Sequence, residues 1–145
     1  MINYNGEILP SDNNLSSSNR AFLYGDGVFE TLKIVNNTIL FLEDHYFRLM
    51  ASMRIVRMKI PNNFTLEYLE AQILNLAKAQ NCENSARVRF TVFRNDGGFY
   101  LPNTNSVSFQ IQVCPLENAL YSFSDANYEV DLYKDFYVTK QLLSS

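Results

Sequence analysis

Three short stretches of this sequence hold residue types whose spacing could do chemistry. In Tyr24-Gly25-Asp26-Gly27-Val28-Phe29-Glu30, two glycines flank an aspartate directly before a strand-like run. That pattern asks for a tight turn and lets backbone come close to a neighbour, as in many ligand-facing loops. It equally describes an ordinary strand entry. In His45-Tyr46-Phe47-Arg48-Leu49, His45 and Arg48 stand three apart and share a helix face. A guanidinium held there could clamp a phosphate or carboxylate through two parallel hydrogen bonds. A solvated helical arginine beside a structurally bonded histidine has the same spacing. In Arg87-Val88-Arg89, alternation puts both arginines on one face of a strand. Two cations on one pleat suit an anionic substrate; they also suit the wet face of a half-buried sheet.

The elements that must position these residues follow from periodicity. Met1 to Leu9 reads as two strand arms around the turn pair Asn5-Gly6, and residues 10–19 are polar enough for a loop. Val28, Glu30, Leu32 and Ile34 alternate with Phe29, Thr31, Lys33 and Val35 in a strand. Asn36-Asn37 turns it into a return strand over Thr38 to Leu42. Glu43 and Asp44 suit the first turn of a helix, whose dipole favours negative charge there. Phe47, Met50 and Met53 then recur at helical spacing, with Tyr46 and Leu49 beside them, to about Met58. Pro61 and Asn62-Asn63 break that helix. A second runs from about Thr65 to Gln80 on Leu66, Leu69, Ile73 and Leu76, with Asn81 as a left-handed end. Val88, Phe90 and Val92 share one face of a strand over Ala86 to Arg94, with Arg87, Arg89, Thr91 and Phe93 on the other. After the turn Asn95-Asp96-Gly97-Gly98, the residues Val107, Phe109, Ile111 and Val113 mark a strand that ends at Pro115. Tyr128, Val130 and Leu132 mark a last one. This order predicts an α+β fold: a largely antiparallel sheet with two helices packed on one face.

Composition narrows the function classes. The 145 residues suit one domain, and 47% hydrophobic with 19% charged content excludes disorder, collagen-like repeats and an extended coiled coil. A net charge of −3 argues against nucleic acid or an anionic membrane as partner, since both need a net basic face. Cys82 and Cys114 are too few for a disulfide framework and are not spaced as metal ligands. With His45 the single histidine, no metal site is expected. No apolar run reaches the roughly 18 residues of a membrane span, and the N-terminus does not read as a signal peptide. A cytoplasmic protein is the expectation.

Together, the three stretches resemble the class IV aminotransferases, the fold-type IV pyridoxal 5'-phosphate (PLP) enzymes. This family includes branched-chain aminotransferase, D-amino-acid aminotransferase and aminodeoxychorismate lyase. The segment from Asn19 to Thr31 resembles the start of their N-terminal domain. His45-Tyr46-Phe47-Arg48-Leu49-Met50-Ala51-Ser52 resembles their H-x-x-R-L-x-x-S helix, and Val88 to Arg94 their arginine-bearing strand. All three occur in the family's order and spacing.

The resemblance implies PLP as cofactor, an amino acid and a 2-oxo acid as substrates, and a homodimer. It gives Arg48 the cofactor phosphate. It puts Phe29 in the substrate pocket, where the D-amino-acid enzymes carry a tyrosine, and Arg89 on the substrate side. Glu30 and His45 become supporting residues that orient these groups. No catalytic residue is expected within the chain: the cofactor-bearing lysine of related enzymes follows a Leu-rich approach that Gln141-Leu142-Leu143-Ser144-Ser145 resembles. That lysine is expected just past Ser145, and neither Lys134 nor Lys140 stands in its context. Residues 1–125 would then be the N-terminal domain. Residues 126–145 would be the last strand and the start of the connection to a second, PLP-binding domain. The expected activity is amino transfer, by a chain that is inactive alone. The alternatives are aminodeoxychorismate lyase, towards which the LLSS ending leans, and a catalytically inactive interaction domain.

Overall fold

A computed structural model describes residues 1–11, 16–118 and 128–132. Its strands are β1 (Ile2–Tyr4), β2 (Glu7–Leu9), β3 (Gly27–Val35), β4 (Thr38–Ile39), β5 (Ser85–Arg94) and β6 (Val107–Pro115). Its helices are α1 (Arg20–Tyr24), α2 (Leu42–Ile55) and α3 (Leu66–Ala79). The strands form one sheet in the order β2-β1-β6-β5-β3-β4, every neighbouring pair antiparallel. The fold is α+β, as the element order predicts.

Two tight turns set the register. Asn5 (φ 52°) and Gly6 (φ 96°) join β1 to β2, while Asn36 (φ 49°) and Asn37 (φ 59°) join β3 to β4. Both pairs adopt the positive φ that matches the twist of a two-residue hairpin. The return strand is shorter than its composition suggests. Phe41 takes a left-handed conformation (φ 54°) and α2 begins at Leu42, so only Thr38 and Ile39 pair with β3.

One face of the sheet carries Leu32, Ile34, Val88, Phe90, Val92, Phe109, Ile111 and Val113, all buried. Helices α2 and α3 cover it with Leu49, Met50, Met53, Leu69, Ile73 and Leu76. Phe90 and Phe109 stack at 5.3 Å between ring centroids, and Phe64 meets both edge-on. The inward stripe of α2 runs through Leu49, Met50 and Met53. Phe47, grouped with the methionines by spacing, is instead turned to solvent, because a step of roughly 100° per residue carries it off the stripe. Thr65 caps α3 by accepting the Tyr68 N–H, and Asn81 takes the expected left-handed conformation just beyond it.

Two further elements differ from the sequence reading. Helix α1 is an extra single turn, capped by the Asn19 side chain and stopped by left-handed Gly25. Among the described residues, 128–132 join no ladder, so the strand expected at Tyr128, Val130 and Leu132 is not seen in that stretch. Those three side chains are exposed, and alternation alone gives a strand no partner for its backbone. Lys134, Lys140 and Gln141 to Ser145 lie outside the described residues.

Phe90 is the keystone of the aromatic packing. Phe90→Ala should lower unfolding stability by about 3–5 kcal/mol, read from urea denaturation; a loss below about 1 kcal/mol would contradict this packing.

Candidate functional site

Strand β3 presents its side chains alternately to two environments. Glu30 lies opposite Phe90 in the β3–β5 register and shares the helix-covered face with Leu32 and Ile34. Its carboxylate is therefore buried at the margin of an apolar layer, where an unpaired charge is costly. Helix α2 brings two donors to it. Arg48 bonds Glu30 Oε1 through Nε at 2.8 Å and Oε2 through Nη2 at 2.5 Å. His45 Nδ1 lies 2.8 Å from the same Oε2. An anionic oxygen calls for a proton on that ring nitrogen, so Nδ1–H donates to it. The 2.9 Å between His45 Nδ1 and Arg48 Nη2 then reflects two donors sharing one acceptor.

Burial pushes the Glu30 carboxyl upward, but the hydrogen bonds and charges of Arg48 and His45 outweigh it and hold it below its ordinary value. The Glu30 hydrogen bond in turn raises Arg48. The arginine side chain remains 52% exposed, with Nε and Nη2 bonded to Glu30, Nη1 without a hydrogen-bond partner among the described residues, and the Asp44 charge also acting on the guanidinium.

The opposite face of β3 holds the second group. Phe29 is exposed, and the Arg89 guanidinium lies over its ring at 3.9 Å. The structure thus joins Glu30, His45 and Arg48 on one side of β3, and Phe29 and Arg89 on the other. The two groups meet at adjoining residues of one strand. Strand β4 pairs only with Ile34 and Val35, and the Leu40 N–H adds a bond to the Lys33 carbonyl. From Gly27 to Leu32, the edge of β3 away from β5 has no strand partner among the described residues.

The glycine-flanked aspartate does different work. Asp26 accepts Arg20 Nε at 2.8 Å and Arg94 Nε at 3.0 Å, and both arginines are buried. Arg20 Nη1 also donates to the carbonyls of Gly97, Gly98 and Phe99. Arg94 reaches Asn105 and the carbonyls of Val56 and Arg57. A Cβ on Gly27 would stand 3.2 Å from the Val92 carbonyl, so its close approach is to β5. Sequence reasoning missed this hub. Its signal was present, since Arg20 and Arg94 stand at the outer margins of two of the family-like stretches, but burial of a charge is not written in a motif.

The sequence matches the family described as Amino-transferase class IV over residues 27–143. Similar solved structures include a T.th. branched-chain amino acid aminotransferase with pyridoxamine 5'-phosphate (26% identity, TM-score 0.68, covering 80% of this chain and 40% of that one). The branched-chain amino acid aminotransferase of Thermobaculum terrenum in its PLP form matches at 22% identity and TM-score 0.66, over 81% of this chain and 40% of its own. The 4-amino-4-deoxychorismate lyase of Pseudomonas aeruginosa matches at 25% identity and TM-score 0.64, over 79% and 40%. This chain spans about 40% of the length of each.

Asp26→Asn leaves two buried guanidinium groups without their shared counter-charge and should cost about 3–5 kcal/mol of unfolding free energy. A denaturation midpoint unchanged from wild type would contradict the hub. Glu30 has a folded pKa below its unfolded one, so its pairing stabilises the protein above the unfolded value and is lost as pH falls through the folded one. The stability gap between wild type and Glu30→Gln should therefore shrink once the pH drops below about 4. A gap that stays constant through that range would contradict the pairing.

Proposed function

Because this chain belongs to the class IV aminotransferase family, we propose that it forms the N-terminal part of a PLP-dependent enzyme transferring an amino group between an amino acid and a 2-oxo acid. The observation that carries the reading is Arg48: a half-exposed guanidinium, anchored from beneath by a buried carboxylate, with a free edge of N–H donors. A planar, permanently charged fork suits a phosphate, so the residues present fit the cofactor. The relatives solved with pyridoxamine 5'-phosphate and in the PLP form support that choice of anion.

When bound, PLP supplies the electron sink for chemistry at the substrate's α-carbon. This chain's residues would hold and orient. Arg48 binds the phosphate. Phe29 and Arg89, stacked on the opposite side of β3, face the substrate, with Arg89 available to its carboxylate. Glu30 and His45 support Arg48. The lysine that carries the cofactor belongs, on this reading, to the part of the relatives' length that this chain does not span. A homodimer is the proposed working form.

A second reading, an aminodeoxychorismate lyase that releases 4-aminobenzoate and pyruvate, is favoured by the similarity to the Pseudomonas aeruginosa enzyme. The full-length protein separates the two. Turnover of branched-chain or D-amino acids with 2-oxoglutarate supports amino transfer, and turnover of aminodeoxychorismate supports the lyase. No turnover in any assay would refute both and favour a non-catalytic interaction domain. Arg48→Ala should weaken PLP binding roughly tenfold or more, as loss of a charged hydrogen-bond donor does. Cofactor occupancy equal to wild type would refute the phosphate role.

A further inference from the structure

An arginine that meets a phosphate in one place must be held in one place. Arg48 has a long side chain with over half its surface in solvent, so something must choose its rotamer. We infer that Glu30 is the positioning residue of the site: it takes the Nε and Nη2 side of the Arg48 guanidinium and so aims the Nη1 edge at the incoming phosphate. The identity of the anion rests on the cofactor reading above; the orientation rests on the geometry of this chain.

Three observations carry it. Glu30 cannot follow Arg48, because its backbone is locked in the β3–β5 ladder opposite Phe90 and its side chain is buried; the mobile partner must follow the fixed one. The contact is made at two points, Nε to Oε1 and Nη2 to Oε2, which fixes the plane of the guanidinium as one hydrogen bond would not. His45 Nδ1 holds Oε2 as well, so the carboxylate is itself fixed in rotation. Attraction does not explain a carboxylate beside an anion-binding arginine, because its charge repels the phosphate. Orientation does explain it. The two roles therefore predict opposite signs when the charge is removed.

The test compares PLP with pyridoxal, which lacks the phosphate, by equilibrium titration of the full-length protein. Glu30→Gln turns an amide N–H₂ towards donors that need an acceptor. It should weaken PLP binding roughly tenfold, the scale of a lost charged hydrogen bond, and leave pyridoxal affinity at the wild-type value. Unchanged or tighter PLP binding by Glu30→Gln overturns the positioning role. If Arg48→Ala abolishes the preference for PLP in that same experiment, the cofactor reading survives the overturn. If Arg48→Ala keeps the preference, the assignment of Arg48 to the phosphate fails, and the positioning role of Glu30 with it. A second measurement does not depend on the variant folding. In the ligand-free wild type, the Arg48 Nε–H resonance should exchange slowly with solvent; rapid exchange of that proton overturns the inference.

Discussion

The arrangement depends on one buried carboxylate. Glu30 faces the same side of the sheet as Leu32 and Ile34, beneath the helix layer, where a charge without donors is not tolerated. The donors come from α2, and their spacing is fixed by the helix: Arg48 takes both carboxylate oxygens, and His45, three residues before it, takes Oε2. Satisfying Glu30 thus ties α2 to β3 and at the same moment fixes the direction of a guanidinium that remains open to solvent. A stability requirement and a binding geometry are met by one set of contacts.

A second charged centre fixes what surrounds that strand. Asp26 sits where α1 ends and β3 begins, and it gathers Arg20 and Arg94 from two other segments. Through their carbonyl contacts these arginines hold the β5–β6 connection at residues 97–99 and the end of α2 at Val56 and Arg57. Both ends of the glycine-flanked turn are therefore anchored, and Phe29 and Glu30 are delivered to opposite faces at a fixed height on β3. Replacing Asp26 would loosen that delivery without touching either face.

Much of this is legible in the sequence. The alternation in β3, β5 and β6 and the apolar stripe of α3 point to the α+β architecture, since period is a direct consequence of which face is buried. The spacing of His45 and Arg48 puts them on one helix face, and the structure brings them together. What they meet there cannot be read locally. Alternation sets Glu30 in line with Val28, Leu32 and Ile34, but the period of one strand does not say which element covers that face or that α2 brings two donors over it. Phe47 misleads for a related reason: hydrophobic identity suggests burial, whereas angular position decides it. Residues Tyr128 to Leu132 alternate as a strand does but lack a ladder, because pairing is a property of two segments.

The central claim is that Glu30 and Arg48 act as one anchored anion-binding unit. The most direct measurement is a crystal structure of the full-length protein with PLP bound. The account predicts a phosphate oxygen within hydrogen-bond distance of Arg48 Nη1, with Nε and Nη2 still on the two oxygens of Glu30. A phosphate bound away from Arg48, or an Arg48 that has left Glu30 to reach it, would contradict the account.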